Sequence, residues 1–378
     1  MKLSCTRDNL YRGLSVVGHS GGKNVDLPIL GNVLLKASGG VLKLTATNLE
    51  IASSCLVRGK IEVEGEFTVP AKLFFDYVSL LPSEQVDLWV VDQAINIRCG
   101  NHTTKINGLP ASEFPLIPPV AAGATYRLPV EALRGAIQQV LFAVATNEAR
   151  PELSGVCVNF HGAAAGPGKA TLAATDSYRL AERVIEVSGA AEPRTVIIPA
   201  RALSEIGRII SVAKDDVETP EAVELVLADN QMVVRLGSIE LTSRTIDGHY
   251  PDYRQIIPTV FRTEAKVEAA ALGKAVKTAS LFSRTGLFDV HLEFSVTNQA
   301  ITVKGADTAR GENVVTTPAE ITGLDNAATV NYRYLLDGLS AAGEPEVMVR
   351  LIDPMNPCVV TPVGGKNGYV YIVMPIKQ

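Results

Sequence analysis

Apolar residues recur along this chain in two rhythms, a period of two and a period near 3.6, and the alternation of rhythms comes round three times. First, Leu10, Leu14 and Val17 fall at helical spacing over residues 7–18, until Gly21-Gly22 breaks the run. Period-two runs follow. Residues 30–37 and 41–46 flank Ser38-Gly39-Gly40, a hairpin signal, and residues 50–57 and 60–69 read as a further pair around Arg58-Gly59. A helix over 70–80 then opens at Pro70, whose missing N–H costs nothing in a first turn. Leu73, Phe74 and Tyr77 mark one face of it, and Lys72, Asp76 and Ser79 the other.

The same plan returns twice. Helical spacing predicts 129–144 (Leu133, Ile137 and Val140 inward, Glu131, Arg134 and Gln138 outward), 199–213 (Leu203, Ile206 and Ile210 inward), 268–282 and 331–341. LTATNLEIA from Leu44 is matched by LAATDSYRLAERV from Leu172 and by the run from Val303 to Glu312, each placing Asn or Asp where a strand must turn. Such side chains bond the local backbone and favour tight turns. The strand-into-helix stretch FTVPAKLFFDYVSLLP from Phe67 is matched from Val196 and from Val330, and INGLPASEFPLIP from Ile106 by TIDGHYPDYRQIIP from Thr245. Pro70 and Pro199 set a period of about 130 residues, too long for a solenoid unit. The expectation is an α+β chain of three repeated domains, 1–123, 124–258 and 259–378, each two helices on antiparallel sheet, with linkers at 118–123 and 258–263. Six amphipathic helices are expected to share one concave side of an arc.

A chain that is 47% hydrophobic and 20% charged over 378 residues is ordinary for globular protein and long enough for several cores. The start, MKLSCTRDNLY, lacks a signal-peptide apolar run, and no stretch reaches membrane-span length, which predicts a cytoplasmic protein without a membrane partner. Cys5, Cys55, Cys99, Cys157 and Cys358 form no CxxC pair and read as buried free thiols. Charge is uneven in a modest way: the predicted helices hold nine basic and six acidic residues, leaving 26 basic and 34 acidic elsewhere. That fits helices turned toward a polyanion, and equally a set of solvated helix faces.

Catalytic and cofactor signatures are missing. Residues 162–171, GAAAGPGKAT, fail the phosphate-loop pattern because Ala163 and Ala170 replace its glycine and its hydroxyl, and 364–368 fails likewise. There is no nucleophile elbow, zincin helix or clustered carboxylate pair, and the five histidines are scattered along the chain and suggest no metal site. The reading is of a chain that is not an enzyme and needs no cofactor and no metal.

The motifs TDSYRLA, GHYPDYRQIIP, terminal YVYIVMPI and LPILGNVLL from Leu27 closely resemble those of the bacterial sliding clamps, the beta subunits of DNA polymerase III, over essentially the whole chain. The resemblance implies half of a ring: two subunits joined head to tail as a homodimer, helices lining a hole that encircles double-stranded DNA without regard to sequence. It implies as partners the DNA polymerase III alpha subunit, the clamp loader and other proteins carrying a clamp-binding motif. It places their peptide in a pocket of Leu153, Thr175, Tyr178, Arg179, Leu180, Pro251, Ile256, Met355, Pro357, Val373, Met374, Pro375 and Ile376. DNA-facing residues carried over are Arg7, Arg12, Lys23, Lys72, Arg134, Asn147, Arg150, Arg201, Arg208, Lys274, Lys277 and Arg333. Thr104, Ile106, Leu281 and Phe282 fall at the implied dimer interface, with Thr104 where the family can carry an aromatic. A non-ring protein-binding scaffold using the same pocket is the alternative.

Overall fold

The computed structural model describes residues 1–22, 27–120, 123–146, 150–161, 168–189, 192–213, 220–365 and 368–377. In the first repeat β1 (Lys2–Thr6) leads into α1 (Arg7–Val17), then β2 (Asn32–Ser38), β3 (Val41–Thr47), β4 (Ile51–Val63), β5 (Gly65–Pro70), α2 (Ala71–Ser79), β6 (Gln85–Val91), β7 (Ala94–Cys99) and β8 (His102–Asn107). The second runs β9 (Ala124–Pro129), α3 (Val130–Val140), β10 (Gly155–His161), β11 (Gly168–Thr175), β12 (Arg179–Gly189), β13 (Arg194–Pro199), α4 (Ala200–Ala213), β14 (Ala222–Leu227), β15 (Gln231–Leu236) and β16 (Ile239–Arg244). The third runs β17 (Thr263–Glu268), α5 (Ala269–Ser280), β18 (Asp289–Ser295), β19 (Ala300–Asp307), β20 (Gly311–Pro318), β21 (Glu320–Gly323), β22 (Asn326–Asn331), α6 (Tyr332–Ala342), β23 (Glu346–Leu351), β24 (Cys358–Pro362) and β25 (Tyr369–Val373). The six helices stand where apolar spacing predicts them, within a few residues at each end.

Two compact units form. One comprises residues 1–131, 187–190 and 201–245, the other 132–186, 191–200 and 246–378. In the first, antiparallel pairing runs β8-β7-β6-β1-β4 and also β5-β2-β3-β4-β16-β15-β14-β9. β4 belongs to both ladders, and here the structure corrects the sequence reading. Arg58-Gly59 is not a turn: the strand continues through it, leaving β3 at Arg58 and taking β1 from Gly59 onward. A side chain at Gly59 would lie 2.7 Å from the Ser4 carbonyl, so glycine there serves close strand approach. The real reversal is at Gly65, with φ of 153°.

Helix ends in this unit are closed by arginines reaching in from elsewhere. Thr6 caps α1 by accepting from Asn9 N at 3.3 Å. At its far end the Arg208 guanidinium donates to the Ser15 carbonyl at 2.7 Å and to that of Val16. Arg7 does the same for α2, donating to Val78 O at 3.2 Å and Ser79 O at 2.6 Å. Carbonyls orphaned at a helix C-terminus thus meet cations, which also suits the dipole. On α2 the buried face is Ala71, Phe74 and Val78; Leu73, expected inward beside Phe74, is 54% exposed.

The second unit holds β11-β10-β13, the ladder β12-β25-β24-β23-β17-β21, and a four-stranded sheet β20-β19-β18-β22. Helix α6 begins with Asn331 accepting from Arg333 N at 2.9 Å and ends at Gly343, where φ is 71°. Gly338 brings α6 onto β25: a methyl there would overlap the Tyr371 ring. The five cysteines are free and buried; burial pushes Cys157 up to about 11 and Cys358 up to about 12, so these thiols stay protonated and unreactive.

Candidate docking and DNA-facing sites

The turn that opens β12 is built as the Asx residue dictates. Asp176 Oδ1 accepts from Tyr178 N and Arg179 N, both at 3.0 Å, Thr175 Oγ1 donates to Arg179 O at 2.6 Å, and Ser177 takes φ of 76°. The first repeat makes the same bonds, with Asn48 Oδ1 accepting from Glu50 N and Ile51 N, Thr47 Oγ1 donating to Ile51 O, and Leu49 at φ of 77°. In the third, Asp307 Oδ1 accepts from Ala309 N and Arg310 N, but Ala306 has no hydroxyl to contribute.

From this turn, alternation sends successive side chains to different surroundings. Tyr178 projects outward, 65% exposed. Leu180 is fully buried in an apolar cluster with Leu153, Cys157, Ala173, Ile197, Tyr250, Tyr253, Val359 and Ile372. Arg179 turns to the helix side: Nε donates to Asp176 Oδ2 at 2.9 Å, Nη1 to Asp337 Oδ2 at 2.5 Å and Nη2 to the Phe142 carbonyl at 2.6 Å. Its guanidinium also stacks 4.5 Å from the Tyr334 ring centroid.

Two tyrosines that sequence reasoning passed over hold the turn against the segment after Gly248. Tyr250 OH accepts from Thr175 N at 3.1 Å, and Tyr253 OH donates to Glu182 Oε2 at 2.7 Å. Burial raises both phenols far above their usual range, so each acts as a neutral hydrogen-bonding strut. The signal was present in GHYPDYRQIIP, from which only Pro251 and Ile256 were taken. The chain end is strapped on both sides: Met374 N donates to Tyr178 O at 2.9 Å, Pro375 bridges Val330, and Ile376 N donates to Thr329 O at 2.8 Å.

The candidate pocket residues therefore divide. Leu153, Thr175, Leu180 and Val373 are buried; Met374, Pro375, Ile376 and Pro357 are half-buried. Exposed apolar surface is carried by Tyr178, Pro251, Ile256 and Met355, the last held out by an Asp353 turn that accepts from Met355 N at 2.9 Å.

The DNA-facing candidates divide as well. Arg7 and Arg208 are committed to helix carbonyls as described, and Arg201 faces Glu50 at 3.4 Å. Arg333 lies over Phe288, 3.6 Å from its centroid. Arg12 and Arg134 are half-buried and Arg150 is exposed. Lys72, Lys274 and Lys277 are exposed and make no ion pair among the described residues. Lys23 and Asn147 lie outside the described residues. Of the interface candidates, Ile106 is buried opposite Ile95 within its own sheet, Thr104 and Phe282 are half-buried, and Leu281 is 67% exposed at the end of α5. Leu80, at 82% exposure beyond α2, is an apolar surface residue not anticipated from sequence.

Among the described residues no group of His, Cys, Asp and Glu could hold a metal, and no helix is long and apolar enough to cross a membrane.

Family profiles for the N-terminal, central and C-terminal domains of the DNA polymerase III beta subunit match residues 1–118, 127–252 and 254–377. The chain belongs to this family. The beta sliding clamp of Synechococcus elongatus is 33% identical over 385 residues, covering 100% of this chain and 99% of the relative, and that of Staphylococcus epidermidis is 27% identical over 387 residues, with the same coverage. Among solved structures, the Bacillus subtilis sliding clamp aligns with a TM-score of 0.91 at 26% identity over 100% of this chain and 99% of that one. A Pseudomonas aeruginosa clamp bound to griselimycin aligns with a TM-score of 0.92 at 25% identity over 100% of both chains. As a beta-subunit family member the chain has three clamp domains of mixed α+β type with antiparallel sheets.

Proposed function

We propose that the chain is the processivity factor of chromosomal replication: a homodimeric ring that encircles duplex DNA in the cytoplasm and tethers the polymerase without catalysing a reaction. The observation that carries this reading is the succession of three beta-subunit domains, matched over residues 1–118, 127–252 and 254–377. The proposed domain ends are near residues 123 and 258.

Closure is supported by two sheet edges. Among the described residues β8 pairs only with β7, and β20 only with β19. An open edge offers a row of unused N–H and C=O groups to another chain. Head-to-tail pairing of a first domain with a third would use them, with Leu281 and Phe282 beside the seam; Ile106 supports it from inside its own sheet.

Topology suits the weak charge. With a Debye length of about 8 Å and non-specific DNA affinity of about 10⁻⁴–10⁻⁶ M at physiological salt, three exposed helix lysines cannot retain DNA by attraction. A closed ring can, and contacts that ignore base sequence leave it free to slide. Polymerase alpha subunit, clamp loader and other motif-bearing partners would dock on the surface of Tyr178, Pro251, Ile256, Met355 and Met374, over the buried Leu153 and Leu180.

The test is retention on DNA. Loaded protein should stay on nicked circular duplex at salt that strips ordinary binders and should leave once the circle is cut. Equal release from circles and linear duplex would instead favour the non-ring scaffold.

A further inference from the structure

On the face of β12 and β25 that meets the helices, Arg179, Ala181 and Arg183 stand opposite Val373, Tyr371 and Tyr369. Arg179 is saturated with acceptors. Arg183, two pairs along, is not: its Nε and Nη1 are screened from solvent and meet no acceptor among the described residues, and the neighbouring Tyr369 hydroxyl, on a side chain only 2% exposed, likewise has no partner among them. Buried donors without acceptors are rare, and a cationic one is the costliest kind.

Arg183 forms part of a groove of about 490 Å³ walled by Gly135, Gln138 and Gln139 of α3 and by Asp337, Ser340 and Gly343 at the end of α6. Gly135 keeps it open, since a side chain there would meet nothing within 4 Å. Asp337 is the one carboxylate in the wall, and Arg179 already neutralises it. Gln139 Nε2 donates to Ala341 O at 2.9 Å, removing one of the α6 carbonyls that would repel an anion at the rim. What the groove lining offers is a guanidinium, a hydroxyl and an amide, from Arg183, Ser340 and Gln138, a set that suits an oxyanion.

We propose that this groove binds a phosphate oxyanion on Arg183, with Tyr369 beside it. The source is either free phosphate or a backbone phosphodiester of duplex DNA; only the second rests on the clamp reading.

The full-length chain is titrated with inorganic phosphate against chloride at equal ionic strength, following both calorimetric affinity and the thermal midpoint. Phosphate should stabilise the parent, and Arg183→Met and Gly135→Leu, which remove the cation and fill the groove, should each weaken binding by about tenfold or more. Without phosphate Arg183→Met should melt no lower than the parent, because Nε and Nη1 hold no bond to lose among the described residues. Equal phosphate affinity in the parent and both variants overturns the site, as does a crystal grown in phosphate that shows only water on Arg183. Affinity for a short linear duplex then identifies the source. A loss parallel to that for phosphate assigns the phosphodiester, and unchanged duplex binding assigns free phosphate. A chain that binds phosphate through Arg183 yet is not retained on nicked circles keeps the site and sinks the clamp reading.

Discussion

Asp289 shows how one carboxylate can tie a turn to a sheet. It sits at the start of β18, 9% exposed, and accepts from Ser283 Oγ at 3.3 Å, Arg284 N at 3.2 Å and Arg284 Nε at 2.8 Å. Burial by itself would raise its pKa; the Arg284 side-chain and backbone bonds outweigh that and hold it below the ordinary 3.8. A depressed folded value means the stabilisation is complete above the unfolded pKa, near pH 4, and is lost as pH falls through the folded one. Asp289→Asn should cost about 2 kcal/mol in denaturant unfolding at pH 7 and should flatten the acid limb of the stability curve below pH 4. At this scale the sequence was legible where a residue acts on its own neighbours. Asn48, Asp176 and Asp307 declare their turns because the atoms they bind are two or three residues away. The bonds of Arg7 and Arg208 to helix carbonyls could not be anticipated, since those carbonyls lie about 70 and 190 positions away and leave no local mark.

Among the elements, α3 and α6 carry glycines with opposite meanings. Gly338 of α6 lies against the Tyr371 ring, whereas Gly135 of α3 faces open space. Alanine favours a helix over glycine by about 1 kcal/mol. Gly135→Ala should therefore raise the unfolding midpoint, while Gly338→Ala should lower it, at a net cost of about 2 kcal/mol from overpacking. Parallel melts of the two variants check this, and a rise in both would mean the α6–β25 packing is looser than described. Helices were well placed from sequence because one amphipathic face is a strong local signal. Strand β4 was split in error because glycine marks both turns and close approaches, and only the position of β1 tells them apart. Leu73 was put inward by its spacing from Phe74, but α2 buries a narrower stripe than its apolar content suggests.

For the whole molecule, the period near 130 residues and the motif set made the three-domain plan readable, because a repeat reports on itself. The open sheet edges were less readable, since an open edge is a property of what fails to pair. In the dimer proposed above Leu281 would lie beside such an edge, and its exposure makes it expendable for the fold of one subunit. Leu281→Asp should leave the melting profile within about 0.5 kcal/mol of the parent, as for other exposed sites, while light scattering reports monomer in place of dimer. A persisting dimer would put the seam elsewhere.

The strapped chain end has a consequence for the thermodynamics of recognition. Met374 and Ile376 already hold their backbone bonds to Tyr178 and Thr329 in the free chain. Fixing a residue's backbone costs about 1–2 kcal/mol in entropy, and here that cost falls on folding, not on the encounter with a partner. The proposed docking surface would thus be preorganised on the protein's side. Nearly all the disorder lost on binding there would belong to the incoming peptide, so a partner's affinity would be set by how stiff its own motif is. Competing partners with the same anchors but different flanking flexibility would be ranked by this one receptor through their entropy alone.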